Sequence, residues 1–180
     1  MGIRLQRLSA VAMLAATSLT LAAGPRTSRS QTSATGVYSI HLVELAKDSC
    51  RIEIMEETKL ATHIDRCLGT VDDLYFIANN GQRFWLVRST PEKPKETGRS
   101  TTAWTSVVVA SLYDRTGKLL RSVRLSELVP VKSWSKVRQL DRHFLWLQGV
   151  AGVPGTMPRV NDKNEVELEP VGTKTVHLKF

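Results

Sequence analysis

Three side chains that can bind a metal ion follow one another at two-residue steps: His63, Asp65 and Cys67. Alternate side chains of an extended strand point to the same face, so an imidazole, a carboxylate and a thiolate would lie together there. All three are zinc ligands. The same cysteine can instead form a disulfide with Cys50, and a bonded sulfur is no thiolate ligand. The disulfide is the stronger interpretation, so we expect no metal and no cofactor.

Cys50 and Cys67 are the only cysteines of the chain. An even number of cysteines is typical of a disulfide when a protein folds in an oxidising compartment. The sixteen residues between them contain a turn-prone centre, 56–58, flanked by two strand-like runs. We therefore predict a disulfide that ties together the two ends of a hairpin.

The remaining candidates for catalysis are two neighbouring acids and four histidines, His41, His63, His143 and His177. The histidines belong to no Gly-x-Ser-x-Gly elbow, His-Glu-x-x-His helix or pair with a free thiol. Asp72 and Asp73 could bind a cation, but two acids beside a turn are usually solvated. The sequence therefore predicts no catalytic residue. A carboxylate pair assembled by the fold from distant residues would leave no such motif.

The first residues have the pattern of a secretory signal peptide. Arg4 and Arg7 precede an apolar run, 8–23, which ends in small residues. The run is short for a membrane-spanning helix, although an uncleaved anchor is the alternative. We predict a signal peptide over residues 1–24, and cleavage after Ala23 is a near competitor.

The predicted mature chain has two parts. Residues 25–35 are small and polar without an apolar period, which is typical of a disordered leader. Residues 36–180 have the length of a single domain with its own core, and we expect that domain to be rich in β-structure. No further transmembrane segment is expected, so the predicted location is the periplasm or the extracellular space.

The chain is basic, with a formal net charge of +8. Removal of Arg4 and Arg7 with the signal peptide lowers this by two, to +6. The positive charges are dispersed among acids and form no stripe interleaved with aromatic residues, so the sequence does not favour nucleic-acid binding. An anionic envelope surface or acidic polymer remains an alternative to a solvated basic surface.

The clearest strand pattern covers residues 104–125. Residues 107–113 are apolar on both faces, which predicts a strand covered above and below. The turn 114–117 offers Gly117 for a positive φ, and residues 118–125 return as the second strand of a long hairpin.

A second hairpin is predicted over residues 74–88. Its midpoint, Asn80-Gly81, favours a type I′ turn because both residues tolerate positive φ. Alternating or β-branched runs predict further strands at 37–46, 50–55, 59–68, 164–169 and 173–180.

One helix is expected, over residues 133–148, because Trp134, Val137, Leu140, Phe144 and Leu147 recur at three- and four-residue steps. The predicted fold class is therefore α+β and mostly antiparallel: a meander of hairpins forms a twisted sheet, and the helix packs on it.

Two segments fall outside this core. Residues 89–102 are predicted to form a long polar loop that is either disordered or used for binding, and residues 149–158 are irregular because of their glycines and prolines. Without a reactive motif, these loops favour an exported, non-enzymatic binding or structural protein whose partner is a protein or an envelope polymer. The alternatives are a hydrolase acting on an extracellular polymer and a secreted inhibitor.

Overall fold

The computed structural model describes residues 24–94 and 103–180. The predicted signal peptide therefore lies outside the described residues except for Gly24. The strands are β1 Arg26–Thr27, β2 Gln31–Thr32, β3 Tyr38–Ala46, β4 Ser49–Glu56, β5 Lys59–Ile64, β6 Leu74–Ile77, β7 Arg83–Val87, β8 Val108–Asp114, β9 Leu119–Arg124, β10 Arg138–Gln139, β11 Phe144–Leu145, β12 Arg159–Val160, β13 Glu165–Leu168 and β14 Val176–Lys179. The helical elements are α1, Leu125–Leu128, and two 3-10 helices, Ala103–Ser106 and Val131–Lys136.

The strands form three sheets and one small ladder, with antiparallel pairing throughout. The N-terminal sheet has the order β1-β3-β4-β5, with β2 also paired to β3, and the central sheet has the order β6-β7-β8-β9. The C-terminal sheet has the order β12-β13-β14, and β10 pairs with β11. The prediction of a mostly antiparallel, β-rich fold is confirmed.

The central sheet is buried on both faces. Along β7, Phe84 and Leu86 pack with isoleucines of the N-terminal sheet, among them Ile40. The alternate residues Trp85 and Val87 belong to a second core with the C-terminal sheet. Because strand side chains alternate between faces, consecutive residues of one strand supply both cores.

Both predicted hairpins are present. In the β8–β9 turn, Gly117 has a φ of +82° and its N–H bonds to the Asp114 carbonyl, as predicted. The β6–β7 connection is longer than a type I′ turn, and the turn class predicted for Asn80-Gly81 is wrong. Gly81 has a positive φ and Asn80 does not, so the connection spans 78–82 and closes with Ala78 N–H to Arg83 O.

The predicted helix over residues 133–148 is wrong. A 3-10 helix covers Val131–Lys136, and the chain then turns back on itself, β10 against β11, with Leu140 exposed in the turn. Residues 144–147 are all buried, which one stripe of a helix could not achieve. In the extended conformation, successive side chains point to opposite sides of the chain, and those of residues 144–147 are all buried. The Trp146 carbonyl accepts a hydrogen bond from the Val171 N–H.

Residues 25–35, for which the sequence predicted a disordered leader, contain two short strands in the structure. β1 and β2 both pair with the edge of β3 that β4 leaves free. Ser28 and Ser33 are buried, and the Ser28 hydroxyl accepts the Leu42 N–H at 2.8 Å. Backbone pairing on an open sheet edge needs no apolar side chains, so hydrophobic patterning carried no signal for it.

Within residues 24–94 and 103–180, every helix is too short to cross a membrane.

The predicted disulfide is present between Cys50 on β4 and Cys67 beyond β5, with a Cα–Cα distance of 4.8 Å. It closes the β4–β5 hairpin at its open end. Replacement of both cysteines by alanine is expected to lower the free energy of unfolding by about 3 kcal/mol, because the unfolded chain regains the freedom of a loop of that length. Urea denaturation of the oxidised wild type and of the double variant measures this. An unchanged midpoint would contradict it.

The hydrogen bonds of the Asp114 carboxylate indicate how the stability of the protein changes in acid. Its carboxylate accepts hydrogen bonds from the Thr116 hydroxyl and from the N–H groups of Thr116 and Lys118, and these bonds lower its pKa. A lowered pKa gives stability that is present above the ordinary value and is lost as the pH falls through the folded-state value. Asp114→Asn should therefore flatten the decline of Tm between pH 5 and pH 2, measured by circular dichroism. Asp162→Asn, in another exposed turn, should keep the wild-type slope.

Candidate functional site

The three potential zinc ligands each have another partner in the structure. Cys67 is bonded to Cys50. His63 Nε2 lies 3.2 Å from Asp65 Oδ2, and Arg51 Nε donates to Asp65 Oδ1 at 2.7 Å. The Arg51 hydrogen bond is the main reason why the pKa of Asp65 is below its ordinary value. In the described part of the chain, no group of three or more His, Cys, Asp or Glu could hold a metal ion.

Two other histidines lie in polar rows on sheet surfaces. His41 is directly opposite Glu53, and its Nε2 is 3.2 Å from Glu53 Oε2. On the C-terminal sheet, His177 Nδ1 is 3.5 Å from Glu165 Oε2. Cross-strand pairs of this kind stabilise a sheet by roughly 0.2–1 kcal/mol. These contacts are explained by sheet pairing alone.

The fourth histidine, His143, lies in a cleft that we call the polar cleft. It has a volume of about 580 Å³, and its walls come from the turn 70–73, the segment 88–94 that follows β7, residues 106–108 at the start of β8, and His143. Its ionisable residues are Asp72, Asp73, Arg88, Glu92 and His143. Charges of both signs therefore line one concave surface.

Asp73 is the most perturbed acid of the polar cleft. Burial raises its pKa, and the hydrogen bonds that its Oδ2 accepts from Thr70 N–H and Oγ1 partly oppose that rise. Gly69 lies against this carboxylate: a Cβ at Gly69 would come within 2.8 Å of Asp73 Oδ2 and 2.7 Å of the Tyr75 hydroxyl. The carboxylate therefore closes a tight turn, and that turn is one wall of the cleft.

Arg88 brings a positive charge to the same surface. Its N–H donates to the Val109 carbonyl at 2.8 Å, and its carbonyl accepts the Trp146 indole N–H at 2.9 Å. Both bonds fix the backbone beneath the guanidinium. Arg88 also lowers the pKa of Asp73, although less than burial raises it.

His143 has a defined tautomer. Its Nδ1 lies 3.1 Å from the Thr90 carbonyl oxygen, and a carbonyl can only accept a hydrogen bond. The neutral ring therefore carries its hydrogen on Nδ1 and leaves Nε2 as an acceptor.

The segment that enters the predicted loop 89–102 is held by backbone bonds. Phe144 N–H donates to the Pro91 carbonyl at 3.1 Å, and Lys93 N–H donates to the Arg142 carbonyl at 2.8 Å. Glu92 and His143 form an isolated antiparallel bridge between these bonds. The first residues of the loop thus continue as a short paired strand, while residues 95–102 lie outside the described residues.

The chain that follows the loop is held by aromatic stacking. Trp104 lies on Trp134 with ring centroids 3.9 Å apart and planes 8° apart, and Phe144 contacts Trp134 edge-on at 5.1 Å. Segments on both sides of residues 95–102 are therefore fixed to one stretch of chain, 131–145. This stretch overlaps residues 133–148, for which a helix was predicted.

The second predicted contact segment, 149–158, is irregular as expected, and it is also anchored. Gly149 N–H bonds to the Val153 carbonyl, and Thr156 N–H bonds to Glu169 Oε2 at 3.0 Å. It lies outside the lining of the polar cleft. Thr156 and Met157 instead border a separate cavity of about 280 Å³ on the C-terminal sheet.

The sequence indicated Asp72 and Asp73 as candidates and did not single out Arg88 or His143 as partners for them. These residues are 55 positions apart in the numbering, and they meet because residues 91–93 pair with 142–144. A strand signal within 91–93 could have suggested that pairing, but Pro91 is the first of those residues and Pro94 follows them.

The polar cleft can bind groups of either charge. Arg88 suits a carboxylate or phosphate, whereas the exposed acids Asp72 and Glu92 suit an ammonium or guanidinium group.

No family model, no curated protein and no solved structure matches this chain.

Loss of the tryptophan stack should destabilise the anchored segment. Trp134→Ala is expected to lower the free energy of unfolding by about 2 kcal/mol, because the burial of the indole and its stacking on Trp104 are both lost. Val131→Ala, on the same 3-10 helix but 76% exposed, should change stability by less than about 0.5 kcal/mol. Urea denaturation monitored by circular dichroism compares the two. Equal losses would show that the stack does not hold the segment.

Proposed function

We propose that the chain is an exported, non-enzymatic binding protein that recognises a protein or a polymer of the cell envelope or extracellular space at the polar cleft. The observation that carries the proposal is the fixed frame of that cleft. Segments on both sides of residues 95–102 are attached to residues 131–145, by backbone bonds at one end and by the Trp104–Trp134 stack at the other. Preorganised walls reduce the entropy lost on binding.

Export is supported by two separate features. Residues 1–24 have the charge and apolar pattern of a signal peptide, and Cys50–Cys67 is a disulfide of the kind that persists in oxidising compartments. The proposed location is the periplasm or the extracellular space.

The chemistry of the cleft suggests what the partner presents. Asp72 and Glu92 are exposed at the cleft and would face basic groups, while Arg88 would face an acidic group. A partner segment carrying both charges fits this arrangement better than a uniformly anionic surface does.

The test is quantitative capture from envelope extract and from culture medium by three immobilised forms of the mature protein. The cleft variant Asp72→Lys/Glu92→Lys reverses two exposed charges, and Glu57→Lys/Asp162→Lys makes the same charge change at exposed turns outside the cleft lining. One species should be captured by the wild type and the control variant about tenfold more than by the cleft variant. Equal capture by all three forms would refute binding at the cleft.

A hydrolase is the second candidate, because the cleft contains Asp73 with a raised pKa beside Asp72 and His143. Raised carboxyl pKa values in a cleft are typical of acid–base catalysts. Asp73→Asn can still accept the Thr70 hydrogen bonds. If the wild type degrades an envelope polysaccharide or peptidoglycan and this variant does not, the non-enzymatic proposal is wrong.

A further inference from the structure

Strand β9 ends the central sheet with an open backbone edge. Within residues 24–94 and 103–180 it pairs with β8 on one side and with no strand on the other. The strand is six residues long, and five of the six are exposed. An open edge of this length offers backbone donors and acceptors to a further strand.

Two large apolar side chains lie on this edge strand. Leu119 is 52% exposed and Leu120 is 44% exposed. The register between β8 and β9 shifts between Leu119 and Arg121, so Leu120 lies at a β-bulge. Both exposed leucines are available to apolar side chains of an added strand.

The edge is strongly basic. Lys118, Arg121 and Arg124 lie on or beside β9, and none of them forms an ion pair in the part of the chain that the structure describes. The two nearby acids are engaged with backbone groups. Asp114 accepts the Lys118 N–H at 2.9 Å, and Glu127 accepts the Arg124 N–H at 2.7 Å. Asp114 and Glu127 keep their negative charges, and the Lys118 ammonium helps to lower the pKa of Asp114, so three cations outnumber two acids at this edge.

A shallow depression continues from the turn end of β9. It has a volume of about 730 Å³ and is lined by Leu68, Tyr113 and Leu119 together with the basic residues Arg66 and Lys118. Arg66 donates to the Gly117 carbonyl, which fixes its guanidinium beside the turn. The depression thus extends the same combination of apolar and positive groups beyond the strand.

We propose that β9 and this depression, which together we call the basic edge, form a second interaction surface that binds an extended acidic peptide segment of another protein as an added antiparallel strand. The open backbone edge selects a peptide, because only another chain supplies matching N–H and C=O groups. The exposed leucines select apolar side chains, and the three cations select acids between them. Its residues are not among those that line the polar cleft, although Arg124 pairs with the cleft residue Val108. The peptide comparison can be made whether or not the cleft binds a partner.

The experiment uses the mature wild-type protein and fluorescein-labelled peptides, with fluorescence anisotropy as the readout. The probe is a Glu-Val-Glu-Val-Glu-Val peptide flanked by Gly-Ser. The first comparison peptide replaces each Glu by Lys, and the second carries an N-methyl group on every backbone nitrogen of the Glu-Val repeat, so that neither of its edges can donate. The acidic peptide should bind at least about tenfold more tightly than either, since one lacks the charge and the other lacks backbone donors.

Protein variants locate the site. Arg121→Glu/Arg124→Glu should weaken binding of the acidic peptide by about tenfold or more. Lys163→Glu/Lys174→Glu makes the same charge change at exposed positions near the C-terminal sheet and should leave binding unchanged. The comparison among peptides needs only the wild type, so it decides the question even if the β9 variant does not fold.

Four results would overturn the proposal. Equal binding of the acidic and N-methylated peptides would show attraction by charge alone. Displacement of both peptides to the same extent by heparin or by phosphatidylglycerol vesicles would show the same. Equal weakening in both charge variants would place the site elsewhere. Absence of binding to the acidic peptide would leave the arginines as a guard against edge-to-edge association.

Discussion

The burial of the central sheet on both faces is the constraint on which the rest of the structure depends. Phe84 and Leu86 face the N-terminal sheet while Trp85 and Val87 face the C-terminal sheet. Burial of each such side chain contributes roughly 1.5–3 kcal/mol to the stability of the fold. All four side chains belong to one strand of five residues. Neither core can therefore be formed without the backbone ladder of β6, β7 and β8 that holds the other.

The polar cleft follows from this arrangement. β7 ends at Val87, so Arg88 leaves the sheet with its backbone still bonded to Val109 and Trp146. The chain beyond it pairs with residues 142–144, which the second core has already fixed. Charged groups from distant parts of the sequence thereby meet on a surface whose support is apolar.

The sequence predicted those features that depend on a few residues with strong local preferences. The turn at Gly117, the hairpin around Gly81 and the disulfide all depend on residues close in sequence or on one obligatory pair, and each is present. The helix over 133–148 failed because its apolar residues satisfy two descriptions, and only the space between sheets selects the extended one. The charged residues of the cleft could not be grouped beforehand, since Arg88 and His143 meet through tertiary pairing.

The strap formed by residues 26–32 has a practical consequence for how this protein is produced. Their sequence resembles a dispensable leader, yet Ser28, β1 and β2 form hydrogen bonds along one edge of β3. A recombinant form beginning at residue 36 would have unpaired strand edges on two different sheets, at β3 and at β9, and unpaired edges can pair with neighbouring molecules. Truncation at the apparent domain boundary would thus uncover a strand edge that the longer chain covers, and an affinity tag is better placed at the C-terminus.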